Sequence, residues 1–317
     1  MLRPSSASGP QYLQVDREAS GQRIDNFLLR HLKGVPRSHL YRVLRRGEVR
    51  VNKGRVKPEY RLRVGDEVRI PPLRRPVPDG APPPLREAAW IEGAILYEDA
   101  QVLVIDKPAG LAVHGGSGLS HGLIELLRAA RPAQELELVH RLDRDTSGCL
   151  LVSKRRSALR ELHRLLRDKA VDKRYLALLV GRLPRAEVTV EAALRKNVLQ
   201  GGERVVRVDE VDGKPARTCF RRLRSLPGAT LVEAQLVTGR THQIRVHAAH
   251  LGLPLAGDEK YGDAEGNRAL REVGLRRLFL HAAVLGFPNG QDGRELGVRA
   301  PLPSELEAVL ARLEGQR

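Results

Sequence analysis

The stretch His140-Arg141-Leu142-Asp143-Arg144-Asp145-Thr146-Ser147-Gly148 decides how the rest of the chain is read. It sets a carboxylate, Asp143, among arginines and small turn-forming residues, directly before the apolar run Cys149-Leu150-Leu151-Val152. A short apolar run bounded by turn signals predicts a buried strand, which puts Asp143 at the strand's mouth. A carboxylate held there among cations can be aimed at a bound molecule. Taken alone, the stretch reads equally as a surface turn with solvated charges. Position alone does not exclude Asp145, two residues further on.

The composition favours a polyanionic partner. The 317 residues carry a formal net charge of +17, and 45 of the 55 basic side chains are arginine. Guanidinium forks onto phosphate and stacks on bases, which suits RNA. The two cysteines, Cys149 and Cys219, sit in apolar or mixed runs and form no metal or redox pattern. Residues 1–14 lack the apolar core of a signal peptide, and no run approaches the length of a membrane-spanning helix. The expectation is a soluble cytoplasmic protein, monomeric, with no membrane partner.

Seven prolines between Pro71 and Pro84 mark an extended linker. The division expected is a disordered N-terminus over 1–14, a small module over 15–71, a linker over 72–87 and a large module over 88–317. In the small module Ile24, Phe27, Leu28 and Leu32 recur at helical spacing. A second helix is expected from Ser38, with Leu40, Val43 and Leu44 inward, Arg42, Arg45 and Arg46 outward, and Gly47 at its end. Strands are expected around Val49–Asn52 and Val64–Ile70. From Asp16 to Ile70 there are 15 basic and 7 acidic side chains, a concentrated cationic footprint.

The large module alternates strand-like runs (102–105, 149–152, 175–180, 230–237) with helical stretches (157–169, 243–251). The order lacks a strict βα alternation, so an α+β domain with a mixed, mainly antiparallel sheet is expected. His242, His247 and His250 do not have zinc-ligand spacing, and Gly115-Gly116-Ser117-Gly118 lacks the Gly-Lys-Ser/Thr ending of a phosphate loop. That segment reads as a substrate-side loop.

Two resemblances join these pieces. Gly21-Gln22-Arg23-Ile24-Asp25, Ser38, Gly47, Val51-Asn52 and Gly65-Asp66 make the small module similar to the S4 RNA-binding domain. In the large module four segments stand in order. They are Val104-Ile105-Asp106-Lys107-Pro108-Ala109-Gly110 with Val113-His114, the Asp143 segment, Asp172-Lys173-Arg174-Tyr175, and Thr238-Gly239-Arg240-Thr241-His242-Gln243-Ile244-Arg245, running on to Gly257-Asp258 and Tyr261-Gly262. Together they resemble the RluA family of pseudouridine synthases, and the stretches Gly21–Leu28, Leu32–Pro36, Val49–Lys53, Lys57–Tyr60 and Val113–Ser120 narrow the resemblance to a branch acting on 23S ribosomal RNA.

The resemblance implies an active site in a central cleft and an isomerisation of uridine that needs no cofactor and no metal. A target base must leave its stack, at roughly a few kcal/mol, and stacking on an aromatic ring recovers about 1–3 kcal/mol. It assigns the catalytic carboxylate to Asp143, its ionic partner to Arg245 and the active-site tyrosine to Tyr175. Arg141 is expected to fill the space left by the flipped base. Lys107, Arg37, Arg42, Arg45, Arg46, Arg50 and Lys53 are the remaining candidate RNA contacts. Asp143 has three routes open to it: attack at C1′, attack at C6, or removal of the C2′ proton through a glycal-like intermediate. The last is preferred here. A non-catalytic ribosome-assembly factor and an RNA methyltransferase are the alternatives. The first would lack Asp143, Tyr175 or Arg245, and the second would need a cofactor-binding glycine-rich loop.

Overall fold

A computed structural model describes residues 9–17, 19–32, 35, 37–72, 88–115, 121–200, 203–288 and 295–316. All of the expected substrate-side loop beyond Gly115, most of the linker and residues 1–8 fall outside that set. Two compact units emerge, Met1–Ala81 and Pro82–Arg317.

The first unit runs β1 (Gln11–Gln14), α1 (Ile24–His31), α2 (Arg37–Arg45), β2 (Arg50–Val51), β3 (Gly54–Arg55) and β4 (Glu67–Ile70). Its sheet has the antiparallel order β1-β4-β2-β3. The apolar positions read from helical spacing do face inward: Ile24, Phe27, Leu28, Leu40, Val43 and Leu44 are all buried. Gly47 ends α2 at φ +70, where a Cβ would strike the Arg55 side chain. Asp66 ties the returning strand down, accepting from the Arg63 backbone at 2.9 Å, Asn52 Nδ2 at 2.8 Å and Tyr60 Oη at 3.1 Å.

One expectation fails here. Residues 11–14, assigned to a disordered N-terminus, form β1, paired from Gln11↔Ile70 to Gln14↔Glu67. The segment QYLQ is mostly exposed, so it is held by backbone pairing at a sheet edge. Such a strand leaves no apolar periodicity to read.

The second unit is built on a 10-stranded sheet of order β10-β13-β14-β9-β15-β8-β6-β5, with β16 on β15 and β7 on β8. In chain order these are β5 (Ile95–Glu98), β6 (Val102–Lys107), β7 (Glu137–Leu138), β8 (Ser147–Ser153), β9 (Asp172–Val180), β10 (Glu187–Glu191), β13 (Arg217–Leu226), β14 (Ala229–Leu236), β15 (Leu280–Pro288) and β16 (Glu295–Arg299). A separate hairpin, β11 (Leu194–Gln200) with β12 (Glu203–Val208), is inserted between β10 and β13. The helices are α3 (Leu123–Ala130), α4 (Arg156–Arg167), α5 (Gln243–His250), α6 (Ala264–Glu272) and α7 (Ser304–Glu314). The β8–β15 pairing is parallel and the sheet's other pairings are antiparallel. The fold is α+β, as the mixed order of elements predicted.

Both faces of the sheet are covered, and this explains why β6 and β8 are apolar without alternation. Leu103, Ile105, Leu150 and Val152 pack with Leu123 and Leu127 of α3 and Ile244 of α5. Val102, Val104, Cys149 and Leu151 turn the other way, toward Leu162 and Leu165 of α4. All seven residues of β8 are buried, and the loop before it is correspondingly well supported. Among the described residues no helix is long and apolar enough to cross a membrane.

Candidate active site

The site forms where the loop before β8 meets the start of α5 and the first half of β9. Gly148 makes the approach possible. It lies at φ +106 in the parallel contact with β15, and a Cβ there would run into the Ala282 carbonyl. Thr146 N donates to Asp143 O at 3.2 Å and closes the turn.

Lys107 clamps this loop from behind. It is fully buried, and its Nζ donates to Pro108 O (2.7 Å), Leu111 O (2.8 Å) and Arg144 O (3.0 Å). Gly110 N donates to the same Arg144 carbonyl at 2.9 Å. Lys107 was expected to contact RNA, and the structure corrects this: all three of its donors are engaged by backbone carbonyls under the loop. Burial pushes its ammonium down to about 7, against the pull of Asp145, Asp143 and Asp106. Three acceptors match three N–H bonds, which only the charged form has.

Asp143 and Asp145 are now distinguished. Asp143 lines a cleft of about 560 Å³ together with His140, Arg141, Lys173, Tyr175, His242 and Arg245. Asp145 is not among the lining residues; it is half exposed and paired with Arg144 at 3.1 Å. Asp143 Oδ2 lies 3.9 Å from Arg245 Nη1, and its Oδ1 lies 3.9 Å from His242 Nε2.

Arg245 pairs with Asp143 at 3.9 Å, as expected. Its closer partner is Asp258, whose carboxylate accepts from Nε and Nη2 at 2.7 Å each. The Asp258 side chain is completely buried and also accepts from Lys260 N (2.9 Å) and Tyr261 N (3.0 Å). Burial alone would raise the Asp258 carboxyl, but the Arg245 fork and these N–H groups hold it below its ordinary value. Burial likewise works against the Arg245 cation, and Asp258 more than restores it. The guanidinium stands 5.0 Å from the Tyr261 ring centroid, and Tyr261 Oη is 2.8 Å from His242 Nδ1. Arg245 is therefore fixed by a bidentate pair on one side and reaches Asp143 with its remaining nitrogen. Asp258 and Tyr261 were noticed in sequence only as parts of a matching segment; nothing local showed that they hold Arg245.

The Thr238–Thr241 loop is held by Gln243. Its buried amide accepts from Thr238 Oγ1 (2.8 Å) and Arg240 N (3.0 Å), and donates to Arg217 O (3.0 Å) and Thr218 Oγ1 (2.9 Å). His247 is also structural, with its ring nitrogens against Thr218 Oγ1 and the Ala192 carbonyl. His242 caps α5 from the left-handed region, and burial outweighs Asp143 in holding its imidazole below the ordinary value. His140 is pushed down to about 4 by burial and then by Lys173; its Nε2 accepts from Leu151 N at 3.1 Å.

Tyr175 lies on the cleft-facing side of β9 and is nearly buried. Burial, then Asp143 and Cys149, raise its phenol, so it enters the cleft as a neutral ring with an O–H. Arg141 is exposed and lines the cleft mouth. In the first unit Arg42, Arg45, Arg46, Arg50 and Lys53 are exposed. Arg50 is partly engaged by the carbonyls of Gly47 and Lys53. The Arg37 side chain lies outside the described set.

Residues 101–250 match the family model described as RNA pseudouridylate synthase, and residues 22–68 match the S4 domain. The chain is 54% identical over 308 residues to ribosomal large subunit pseudouridine synthase C of Escherichia coli (strain K12), with 96% of each chain covered. The chain belongs to the RNA pseudouridylate synthases. The protein of the same description from Haemophilus influenzae is 52% identical over 309 residues, again covering 96% of each chain. Among solved structures, human RNA pseudouridylate synthase domain containing 4 superposes with a TM-score of 0.61 at 28% identity, covering 73% of this chain and 96% of that one. The resemblance read from the Asp143 and Thr238–Arg245 segments thus holds, and the enzyme is an RNA pseudouridine synthase.

Proposed function

We propose that this synthase isomerises uridine to pseudouridine in the 23S RNA of the large ribosomal subunit, with Asp143 acting on the nucleoside. One observation carries the assignment: Asp143 is the carboxylate lining the cleft, set between Arg245 and His242 at 3.9 Å each. The substrate class rests on the relatives' description as large-subunit enzymes and on the cationic S4-type unit.

In this reading the target base leaves its stack and enters the cleft against the Tyr175 ring, while Arg141 occupies the space vacated. The cleft's size lies within the roughly 300–1,000 Å³ of small-molecule sites. Asp143 removes the C2′ proton as the N1–C1′ bond breaks, leaving a glycal-like sugar and a uracil anion. The base turns within the cleft, and C5 attacks C1′ as the Asp143 carboxyl returns its proton to C2′. Loss of the C5 proton and protonation of N1 complete an isomerisation in which nothing is gained or lost. Arg245 keeps the carboxylate aimed, and fixed geometry accounts for much of the expected acceleration. Tyr175, held neutral, contributes its face and its O–H rather than a base. The enzyme works in the cytoplasm as a monomer.

Carbodiimide-based mapping of unmodified 23S RNA, incubated with the parent or with Asp143→Asn and no added cofactor, tests the reading. New stops at discrete uridines with the parent alone support it. A variant turning over within about tenfold of the parent removes Asp143 from the chemistry.

A further inference from the structure

Six cations line the cleft: Arg141, Arg167, Lys169, Lys173, Arg240 and Arg245. The carboxylate in that lining, Asp143, faces Arg245 and His242, and Arg245 is already engaged by Asp258. Of the others Lys173 is in the most unusual position. It is partly buried, and its ammonium is pushed down by that burial. Among the described residues its ammonium makes neither a hydrogen bond nor an ion pair. The acid next to it, Asp172, is taken by Arg174 Nε at 2.7 Å and Gln235 Nε2 at 3.0 Å. Its electrostatic neighbour is His140, a group it repels when protonated.

A desolvated cation without a counter-charge costs stability, and an arriving anion would remove that cost. The strand register shows where the anion would be. Residues i and i+2 of a strand share a face, so Lys173 lies on the same side of β9 as Tyr175, about 6.6 Å further along. That is the reach from a base stacked on Tyr175 to the sugar–phosphate backbone beside it. Directly beside the ammonium is Gly239, where a Cβ would come within 3.7 Å of Lys173 Nζ, so a larger side chain there would cover it. Exposed Arg167 and Lys169, at the end of α4, continue the cationic edge outward.

We propose that Lys173, backed by Arg167 and Lys169, binds the phosphodiester flanking the nucleotide whose base enters the cleft. The proposal rests on the reading of the Asp143 cleft as a nucleotide site. Lys173 is then a substrate contact that sets the depth to which the nucleotide is drawn in, and its loss should not weaken the fold.

The test uses the full chain and a seven-nucleotide RNA with one central uridine, its linkages replaced one at a time by methylphosphonate. Binding is read by fluorescence anisotropy. The parent should lose about tenfold in affinity when one linkage beside the uridine is neutralised. Lys173→Met should bind about tenfold more weakly and be indifferent to that linkage. Its dependence of log K on log salt should fall by about 0.7, its Tm should be no lower than the parent's, and Lys173→Arg should restore the linkage effect. The proposal is overturned if Lys173→Met keeps the parent's sensitivity, binds as tightly as the parent, or if the parent responds to no linkage. The readout needs no turnover. A linkage effect without product in 23S RNA would sink the isomerisation reading and leave the anion site standing, while product without a linkage effect would do the reverse.

Discussion

Asp258→Asn is the sharpest test of how the site is held. The substitution keeps the side chain's size and an oxygen for the Lys260 and Tyr261 N–H groups. It removes the charge opposite Arg245 and replaces one of two 2.7 Å acceptors with an NH₂. Asp258 is completely buried and Arg245 nearly so, so solvent cannot take over the pairing. Removing one partner of such a pair costs about 3–5 kcal/mol, most of it the uncompensated buried charge. For a unit of this size that corresponds to a fall of roughly 6–15 °C in Tm. The single tryptophan, Trp90, lies in the catalytic unit, so its fluorescence follows that unit's unfolding. The native carboxyl titrates below its ordinary value. Its contribution is therefore present above the unfolded pKa near ~3.9 and is lost as pH falls through the folded value. The gap between parent and variant should stay level from about pH 5 to 8 and narrow below about pH 4. Replacing both partners, Arg245→Met with Asp258→Leu, should recover much of the stability but not the activity. A single variant that melts within about 2 °C of the parent, or a gap that widens toward acid, would refute the claim that Asp258 anchors Arg245.

Three other outcomes are expected. Asp143→Asn should abolish isomerisation while leaving the affinity for 23S RNA within about twofold, measured by filter binding, because the variant loses a reacting group and no phosphate contact. Lys107→Met should lower kcat at unchanged RNA affinity, since it leaves the Pro108 and Leu111 carbonyls unmet at about 1–3 kcal/mol each and the Arg144 carbonyl held by Gly110 N alone; a pure loss of affinity would return Lys107 to the RNA-contact role. Deleting residues 1–87 should weaken binding and flatten its salt dependence, as fewer phosphates are neutralised; an unchanged slope would remove the S4-type unit from binding.

The parts legible in sequence were those whose cause is local. Residues 149–152 read as a strand because both its faces are covered and the run has no polar breaks. Helix α2 read correctly because Leu40, Val43 and Leu44 recur at its period and Gly47 is needed where the chain turns left-handed. Strand β13, Arg217–Leu226, was not read: five of its residues are exposed and three of its arginines lie in the middle, so the pattern looks like a charged loop until β10 and β14 flank it. The first partner of Arg245 lies 13 residues further on, across a loop whose course only the tertiary structure fixes. The setting of Lys107 was hidden for the same reason. A lysine followed by Pro108 and Gly110 looks like a surface cation, and no spacing reveals that three carbonyls converge on it.

These corrections bear on how the cleft works. A carboxylate that must act on a nucleoside needs a cation that holds its direction without competing for its proton. Arg245 meets that need because Asp258 takes its fork, leaving one nitrogen 3.9 Å from Asp143, close enough to orient it and too far for a hydrogen bond. Had Asp143 been the bidentate partner, each of its oxygens would already accept a charged N–H, and its basicity toward a sugar proton would be lower. Lys173 is the converse case, a cation in the same wall that no group among the described residues has neutralised. Asp258 anchors the first cation and fixes the geometry before the substrate arrives, and the second acquires a counter-charge only from the substrate. The distribution of partners among the cleft's cations therefore separates those that position the catalytic group from those that recognise the RNA.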